Sequence, residues 1–355
     1  MKNNYSIISL IKNALSYHEN WQQAWRDPEP KKQYDAVIVG GGGHGLATAF
    51  YSAKKHNMKN IAVVEKGWIG GGNTGRNTTI IRSNYLWDAS AGLYDHALKI
   101  WENLSQELNY NVMFSQRGVM NLAHNLQDVR DLKRRTHANR LNGIDAEWLS
   151  TEEVKKFCPI INTSPDIRYP VLGGTLQRRA GTARHDAVAW GYARGADEMG
   201  VDIIQNCEVT GIDISQGRVT GVQTTRGQIS AKKVGIVVAG RSGQVAAMAG
   251  MRLPIESHVL QAFVTEGLKP CIDHVISFGM GHFYISQSDK GGLVFGGDLD
   301  FYSSYAQRGN LPMKEHVMEA GMTLMPMIGK ARVLRSWGGI MDMTPDGSPI
   351  IDKTD

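Results

Sequence analysis

The segment that most restricts the fold runs from Tyr34 to Glu65. Ala36-Val37-Ile38-Val39 is a short β-branched run of the kind buried in a parallel sheet, and it passes directly into Gly40-Gly41-Gly42-Gly43-His44-Gly45. Leu46, Ala47, Ala49 and Ala53 then open a helical pattern, and Ile61-Ala62-Val63-Val64 is a second buried strand ending at Glu65. The spacing Gly40-x-Gly42-x-x-Gly45, with an acid about 20 residues further on, is the fingerprint of a dinucleotide-binding βαβ unit. Gly40 makes the tight turn, Gly42 lets the backbone approach a pyrophosphate, and Gly45 allows close helix–strand packing. The helix N-terminus offers free N–H groups and a positive dipole to phosphates, and Glu65 is placed to accept from a ribose hydroxyl.

The remaining composition is compatible with such a unit and excludes several others. The 355 residues suit two domains rather than one. Apolar residues at 42% and charged residues at 21% allow a sizeable core and exclude global disorder. Gly is 40 of 355, above the usual ~7%, without a collagen period. The net charge of +5 is dispersed, so it is not the concentrated basic stripe of a nucleic-acid binder. Cys158, Cys207 and Cys271 are odd in number and far apart, which argues against a disulfide framework or a metal knuckle and for a reducing, cytoplasmic setting. His and carboxylates are scattered without metal-ligand spacing. No apolar run approaches ~18 residues, so no membrane span is expected. Met1 to Trp25 lacks the features of a signal peptide and reads as an amphipathic helix docking on its own chain or on a partner.

Beyond Glu65, residues 96–160 are expected to be mostly helical, Asp186 to Met199 a helix, and Val201 to Ile204 a strand. Val209 to Val222 and Gln228 to Val238 read as a β-meander with turns at Gln216-Gly217 and Arg226-Gly227. Residues 257–300 alternate as strands, and Met313 to Leu324 is again helical. The polar loop from Gly70 to Arg82 follows the second strand closely. Nicotinamide-binding domains normally enter a helix there, whereas FAD enzymes often place a Gly/Ser/Thr loop. Val237-Val238-Ala239-Gly240 reads as a further strand whose Gly240 suits close approach of a cofactor. Together these favour FAD over NAD.

The chain resembles the FAD-dependent amine oxidases of the D-amino-acid oxidase type, and among them it is most similar to the beta subunits of heterotetrameric sarcosine oxidases. The match rests on Tyr34 to Ala49, Glu65-Lys66-Gly67-Trp68, Arg76 to Tyr85, Phe114 to Val119, Arg184 to Trp190, Trp337-Gly338-Gly339-Ile340 and Thr344 to Ile351. It spans nearly everything from Pro28 to Asp355. The fold it implies is α/β, with a Rossmann-like FAD-binding domain interleaved with an α+β substrate domain built on an antiparallel sheet. Residues 1–30 form an N-terminal helix and linker. Residues 31–98, 160–256 and 331–355 form the FAD-binding part, and 99–159 with 257–330 the substrate part.

The resemblance also implies chemistry. FAD is bound noncovalently, lined by Gly43, His44, Glu65, Asn73, Thr74, Thr78 and Ile80, with Val209 reaching the adenine end through its backbone. An FMN is joined through its 8α carbon to the residue matching His185, a reasonable nucleophile as neutral imidazole. Arg82 grips the substrate carboxylate bidentately, and Tyr284 matches an active-site aromatic. Plainer alternatives stand beside these: a surface His185 at a helix start, an ion-paired Arg82, a packed strand Tyr284, a core Ile80, a turn residue at Thr74.

Two departures and one boundary follow. Val294 falls where monomeric relatives carry a Lys that helps oxygen react, and no Cys lies beyond Cys271 where they attach FAD. The family pattern continues past Thr354 with a Gly-rich loop and a Lys that pairs with the carboxylate-binding Arg, so activity of these 355 residues by themselves is expected to be incomplete. The implied reaction is oxidative demethylation of sarcosine, with alpha, gamma and delta subunits as partners and tetrahydrofolate met through the alpha subunit. Two rival readings stay open: a dehydrogenase of another N-methyl or D-amino acid, and a flavin-carrying subunit without catalysis of its own.

Overall fold

The computed structural model describes residues 6–17, 19, 23–279, 282–300 and 302–354. Strands Ala36–Val39, Ile61–Val64, Asp202–Ile204 and Val234–Ile236 form a four-stranded, wholly parallel sheet with the last strand beside the first. Its strands are short and buried on both faces, which is why the sequence reads as continuous apolar runs rather than as alternation. Ile38, Ile61, Val63 and Ile203 point to one side, against helices Gly43–His56 and His185–Glu198. Val37, Val39, Ala62 and Val64 point to the other, against the β-meander Val209–Ser215, Arg218–Thr224 and Gly227–Ala231. Each such aliphatic side chain contributes about 1.5–3 kcal/mol by leaving water. The two helices approach closely because Gly195 has no side chain: a Cβ there would sit 2.8 Å from the Phe50 ring.

An eight-stranded sheet makes the second half of the molecule, in the order Val333–Met343, Glu256–Gly267, Gly292–Leu299, Phe283–Gln287, Val275–Phe278, Val119–Ala123, Gly173–Gln177, Glu147–Leu149. All neighbouring pairs are antiparallel except Val275–Phe278 with Val119–Ala123. Phe263, Phe295, Ile285, Ile276, Met120 and Leu176 oppose one another strand by strand. They form the apolar face, covered by Val317, Ala320 and Leu324 of helix Leu311–Leu324. The other face carries a polar row through Thr175, Asn121, Ser277 and Tyr284, flanked by Val119, Val275 and Val294.

Several expectations are corrected. Residues 96–160 hold helices Asp88–Glu107, Leu126–Leu141 and Thr151–Phe157, but also strands Val119–Ala123 and Glu147–Leu149. The strand before Gly240 stops at Ile236, and Ala239–Arg241 is a 3₁₀ turn. Gly173–Gln177 and Val333–Met343 add to the large sheet. The N-terminal helix forms over Ile7–Leu15, capped by Ser6 accepting from Ser9 N at 3.0 Å. Its Ile7, Ile8, Leu10, Ile11 and Leu15 are all exposed, so it does not dock on the described part of its own chain. Met1 to Tyr5, His18 and Asn20 to Gln22 of that segment lie outside the described residues. Among the described residues no helix is long and apolar enough to cross a membrane.

Candidate active site

The glycine turn is fixed by sterics. Gly40 has φ +112°, and a Cβ on it would lie 2.3 Å from the Val237 carbonyl oxygen. A Cβ on Gly45 would lie 2.0 Å from the carbonyl oxygen of Gly40 itself. Gly42 caps helix Gly43–His56 without any side-chain hydrogen bond, which leaves backbone N–H groups at the positive end of the helix dipole. Two side chains brace the turn: Glu65 accepts from Gly41 N at 2.8 Å and Gly67 N at 2.9 Å, and Thr74 Oγ1 accepts from Gly43 N at 3.0 Å. His44 is exposed in the first helical turn.

The loop from Gly70 to Arg82 is clasped from three sides. Asn73 exchanges two hydrogen bonds with the backbone of Ile340, its Oδ1 accepting from Ile340 N at 3.0 Å and its Nδ2 donating to the carbonyl. Trp337 Nε1 donates to the Arg76 carbonyl at 2.8 Å. Gly240 presses on the same strand, where a Cβ would meet Ile340 Cβ at 2.4 Å. On the third side Gly70, with φ +72°, packs against Ala189 of the helix that begins at His185. Ile80 and Ile81 pair with Thr182 and Gly181, and Ile80 packs against Val119, Ala180 and Val275. Val209 is buried in the core beneath the parallel sheet.

Arg82 leaves this loop towards the polar face of the large sheet. That face is read directly from register: Thr175 opposes Asn121, Asn121 opposes Ser277, Ser277 opposes Tyr284, and Tyr284 opposes Gly296. A Cβ on Gly296 would lie 2.6 Å from the Tyr284 hydroxyl, so glycine there makes room for the phenol. Tyr284 meets Thr78 of the loop, and burial raises its phenol despite that hydrogen bond. Two residues along from Thr175, Gln177 is fully buried, and its Oε1 accepts from Ser83 N at 2.9 Å and Asn84 N at 3.2 Å. Its Nε2 donates to Ser83 Oγ at 2.7 Å and to Asp145 at 3.1 Å. Arg82 then donates from Nη1 to Asn84 Oδ1 at 2.8 Å, and its guanidinium lies 4.2 Å from the centre of the Tyr85 ring. Tyr85 stacks on Tyr94 at 4.0 Å. The guanidinium is thus oriented by a neutral amide and an aromatic face, with no carboxylate partner among the described residues.

The structure therefore brings Thr78 and Tyr284 together, and Glu65, Thr74 and Gly43 together at the turn, while Arg82, four residues after Thr78, is held by Asn84 and Tyr85. Val294 opposes Ser286 and Val264, two residues from Gly296 and on the same face as Tyr284. Gln177, Asn84, Asn121 and Ser277 were not expected; the Asn84-Tyr85 pair after Arg82 was the one local sign of them. His185 sits apart, as the first residue of helix His185–Glu198, three residues after the strand that pairs with Ile80. Burial lowers its pKa, with the charges of Arg184 and Arg335 acting in the same direction against Asp186. It is therefore neutral near pH 7, the form a nucleophilic imidazole needs.

The turn can be tested against a dinucleotide. The cradle is glycine wherever a side chain would fill it, since a Cβ on Gly42 would sit 3.0 Å from Thr74 Oγ1. Its donors are backbone N–H groups suited to a diphosphate, and the Glu65 carboxylate keeps lone pairs beyond the two it uses. Glycine turn, helix N-terminus and acid define a dinucleotide-dependent oxidoreductase. The chain belongs to the FAD dependent oxidoreductase family, whose sequence model matches residues 35–355, and within it to the sarcosine oxidase beta subunits. It is 61% identical over 350 residues to sarcosine oxidase subunit beta of Rhizobium meliloti, covering 99% of this chain and 84% of the relative. It is 59% identical over 330 residues to that of an Arthrobacter species, covering 93% and 82%. Among solved structures, L-proline dehydrogenase from P. horikoshii superposes with a TM-score of 0.86 at 25% identity, over 92% of this chain and 86% of that one.

Proposed function

We propose that this chain binds sarcosine on the Arg82–Tyr284 face and demethylates it oxidatively, as the catalytic beta subunit of a complex with alpha, gamma and delta subunits. The balanced reaction is sarcosine, water and oxygen to glycine, formaldehyde and hydrogen peroxide; in the presence of tetrahydrofolate on the alpha subunit the one-carbon unit leaves as 5,10-methylenetetrahydrofolate instead. When bound, FAD supplies the hydride acceptor and an FMN on His185 supplies the relay to oxygen.

The chain's own residues position and exclude. Arg82 presents a planar fork that matches a carboxylate and, held by Asn84 and Tyr85, loses little freedom on binding it. That fixes the small zwitterion so that its N-methyl group is presented in one orientation, the main contribution a protein makes to such chemistry. The polar face with Tyr284 and Ser277 offers hydrogen bonds to the amine, and the cationic surroundings disfavour its protonated form. Gly42, Gly43, His44, Asn73, Thr74, Thr78, Ile80, Val209 and Gly240 are proposed to line the FAD, with Glu65 on its ribose. At His185, Arg335 supplies positive charge suited to a phosphate-bearing flavin, while Arg184 is paired with Asp186.

The observation that carries this reading is an oriented guanidinium without a carboxylate partner among the described residues, at the end of the loop whose Thr74 braces the dinucleotide turn. Anaerobic mixing of the assembled enzyme with a panel of amines tests it: flavin is expected to be reduced fastest by sarcosine, and fastest reduction by a D-amino acid or by none would overturn it. Acid precipitation of the same enzyme is expected to release FAD and leave FMN on a peptide containing His185. In a His185→Asn chain the covalent flavin is expected to disappear while FAD reduction by sarcosine persists; retained covalent FMN in that chain would remove His185 from the role.

A further inference from the structure

Next to Arg82 lies a second guanidinium that the proposed reaction has not used. Arg135 stands on helix Leu126–Leu141, on the stripe that faces the Arg82 segment. One turn further on, Asn139 donates to the Tyr85 carbonyl at 2.6 Å, and Asn142 donates to Asp88 at 2.9 Å. The neighbouring Thr136 shares a hydrogen bond with Thr175 at 2.9 Å, the residue opposite Asn121 on the polar face. Arg135 is half-buried, and its Nε is hidden from solvent without a partner. Burial first, then the like charge of Arg82, lowers its pKa from the ordinary value.

The charge of Asp131 opposes this shift without cancelling it. Asp131, the carboxylate one turn back, is engaged by Arg134 at 3.3 Å and Gln127 at 3.2 Å. The other charged or titratable groups facing Arg135 are Arg134 on its own helix and Arg82 and Tyr85 on the facing segment. Further unmatched donors lie around the same spot: Asn84 Nδ2, on a residue 1% exposed, and Asn121 Nδ2. The Arg135 Nε and these two amide donors, without an acceptor and beside the charges of two guanidinium groups, are costly to bury unless an anion joins them.

We propose that Arg135 is a second electrostatic determinant for carboxylate-bearing amines, acting with Arg82 on the substrate bound in the reading above. Its charge strengthens the hold on the carboxylate. It also disfavours the ammonium form of the bound amine, so the reactive neutral amine prevails at lower pH. Both effects need the charge and not the shape of the side chain.

The test uses the holoenzyme with its partner subunits and full-length beta chain, and follows anaerobic flavin reduction by sarcosine across pH. Arg135→Gln is expected to weaken sarcosine binding roughly tenfold. The same change moves the rising limb of the pH profile upward by about half a unit to one unit, with the limiting rate above that limb nearly unchanged. Arg135→Lys is expected to restore both. Wild-type affinity and pH profile in Arg135→Gln, or equal impairment in Arg135→Lys, would overturn the proposal. Should Arg135→Gln not assemble, Arg135→Met keeps the aliphatic stem and carries the same comparison. Arg82→Gln, run alongside, separates the two readings. If it leaves sarcosine affinity intact, the carboxylate site itself is misassigned; if it removes affinity while Arg135→Gln does not, only the role of Arg135 fails.

Discussion

Arg82→Gln is expected to lower kcat/KM for sarcosine about 10³-fold, equivalent to roughly 4 kcal/mol of transition-state binding. The figure is large because the substitution removes the carboxylate's bidentate partner and leaves the bound anion facing a neutral amide. The loss should be specific. An N-methyl amine without a carboxylate is a poor substrate for the parent enzyme and should fall little further. Arg82→Lys should recover only part of the loss, since an ammonium keeps the charge but lacks the fork and stacks poorly on Tyr85. Stopped-flow reduction of the flavin with both substrates checks this. A uniform fall for the two amines would mean that Arg82 supports the fold of the loop and does not read the carboxylate.

The second large effect lies at the turn. Gly45→Ala adds a methyl group whose carbon would stand 2.0 Å from the Gly40 carbonyl oxygen. Backbone cannot rotate away as a side chain could, so helix Gly43–His56 must separate from strand Ala36–Val39. The expected cost is about 3 kcal/mol in urea unfolding, with loss of FAD from the purified protein. Gly72→Ala is the matched control: nothing lies within 4 Å of its added carbon, so stability should change by less than about 0.5 kcal/mol. Normal FAD content in the Gly45→Ala protein would mean that the turn tolerates the separation.

What the sequence makes legible follows from how local each constraint is. The glycine turn is readable because it is steric and confined to six residues, and the buried strands on either side announce themselves as unbroken apolar runs. The sarcosine-oxidase resemblance carries the reading further, to Arg82 and Tyr284. The supports of Arg82 are not readable in this way. Gln177 belongs to a strand that opens with two glycines, and it reaches Ser83 and Asn84 only through the sheet pairing of segments far apart in the chain. Asn121, Ser277 and Tyr284 become neighbours through register alone. Val237 to Gly240 shows the opposite failure: the residues favour a strand, but close packing of Gly240 on Ile340 turns the chain into a 3₁₀ turn. The N-terminal helix is legible as a helix because its apolar pattern is local, while what its exposed face meets is not written in its own residues.

The clasp between Asn73 and Ile340 has a consequence for how the protein is made. Residues of the loop from Gly70 to Arg82 are synthesised early, but their hydrogen-bonding partners in strand Val333–Met343 emerge from the ribosome more than 250 residues later. Until that strand is made, the clasp on the loop cannot close. Cofactor capture is therefore expected to come late in biogenesis, and a chain arrested short of that strand is expected to leave translation colourless.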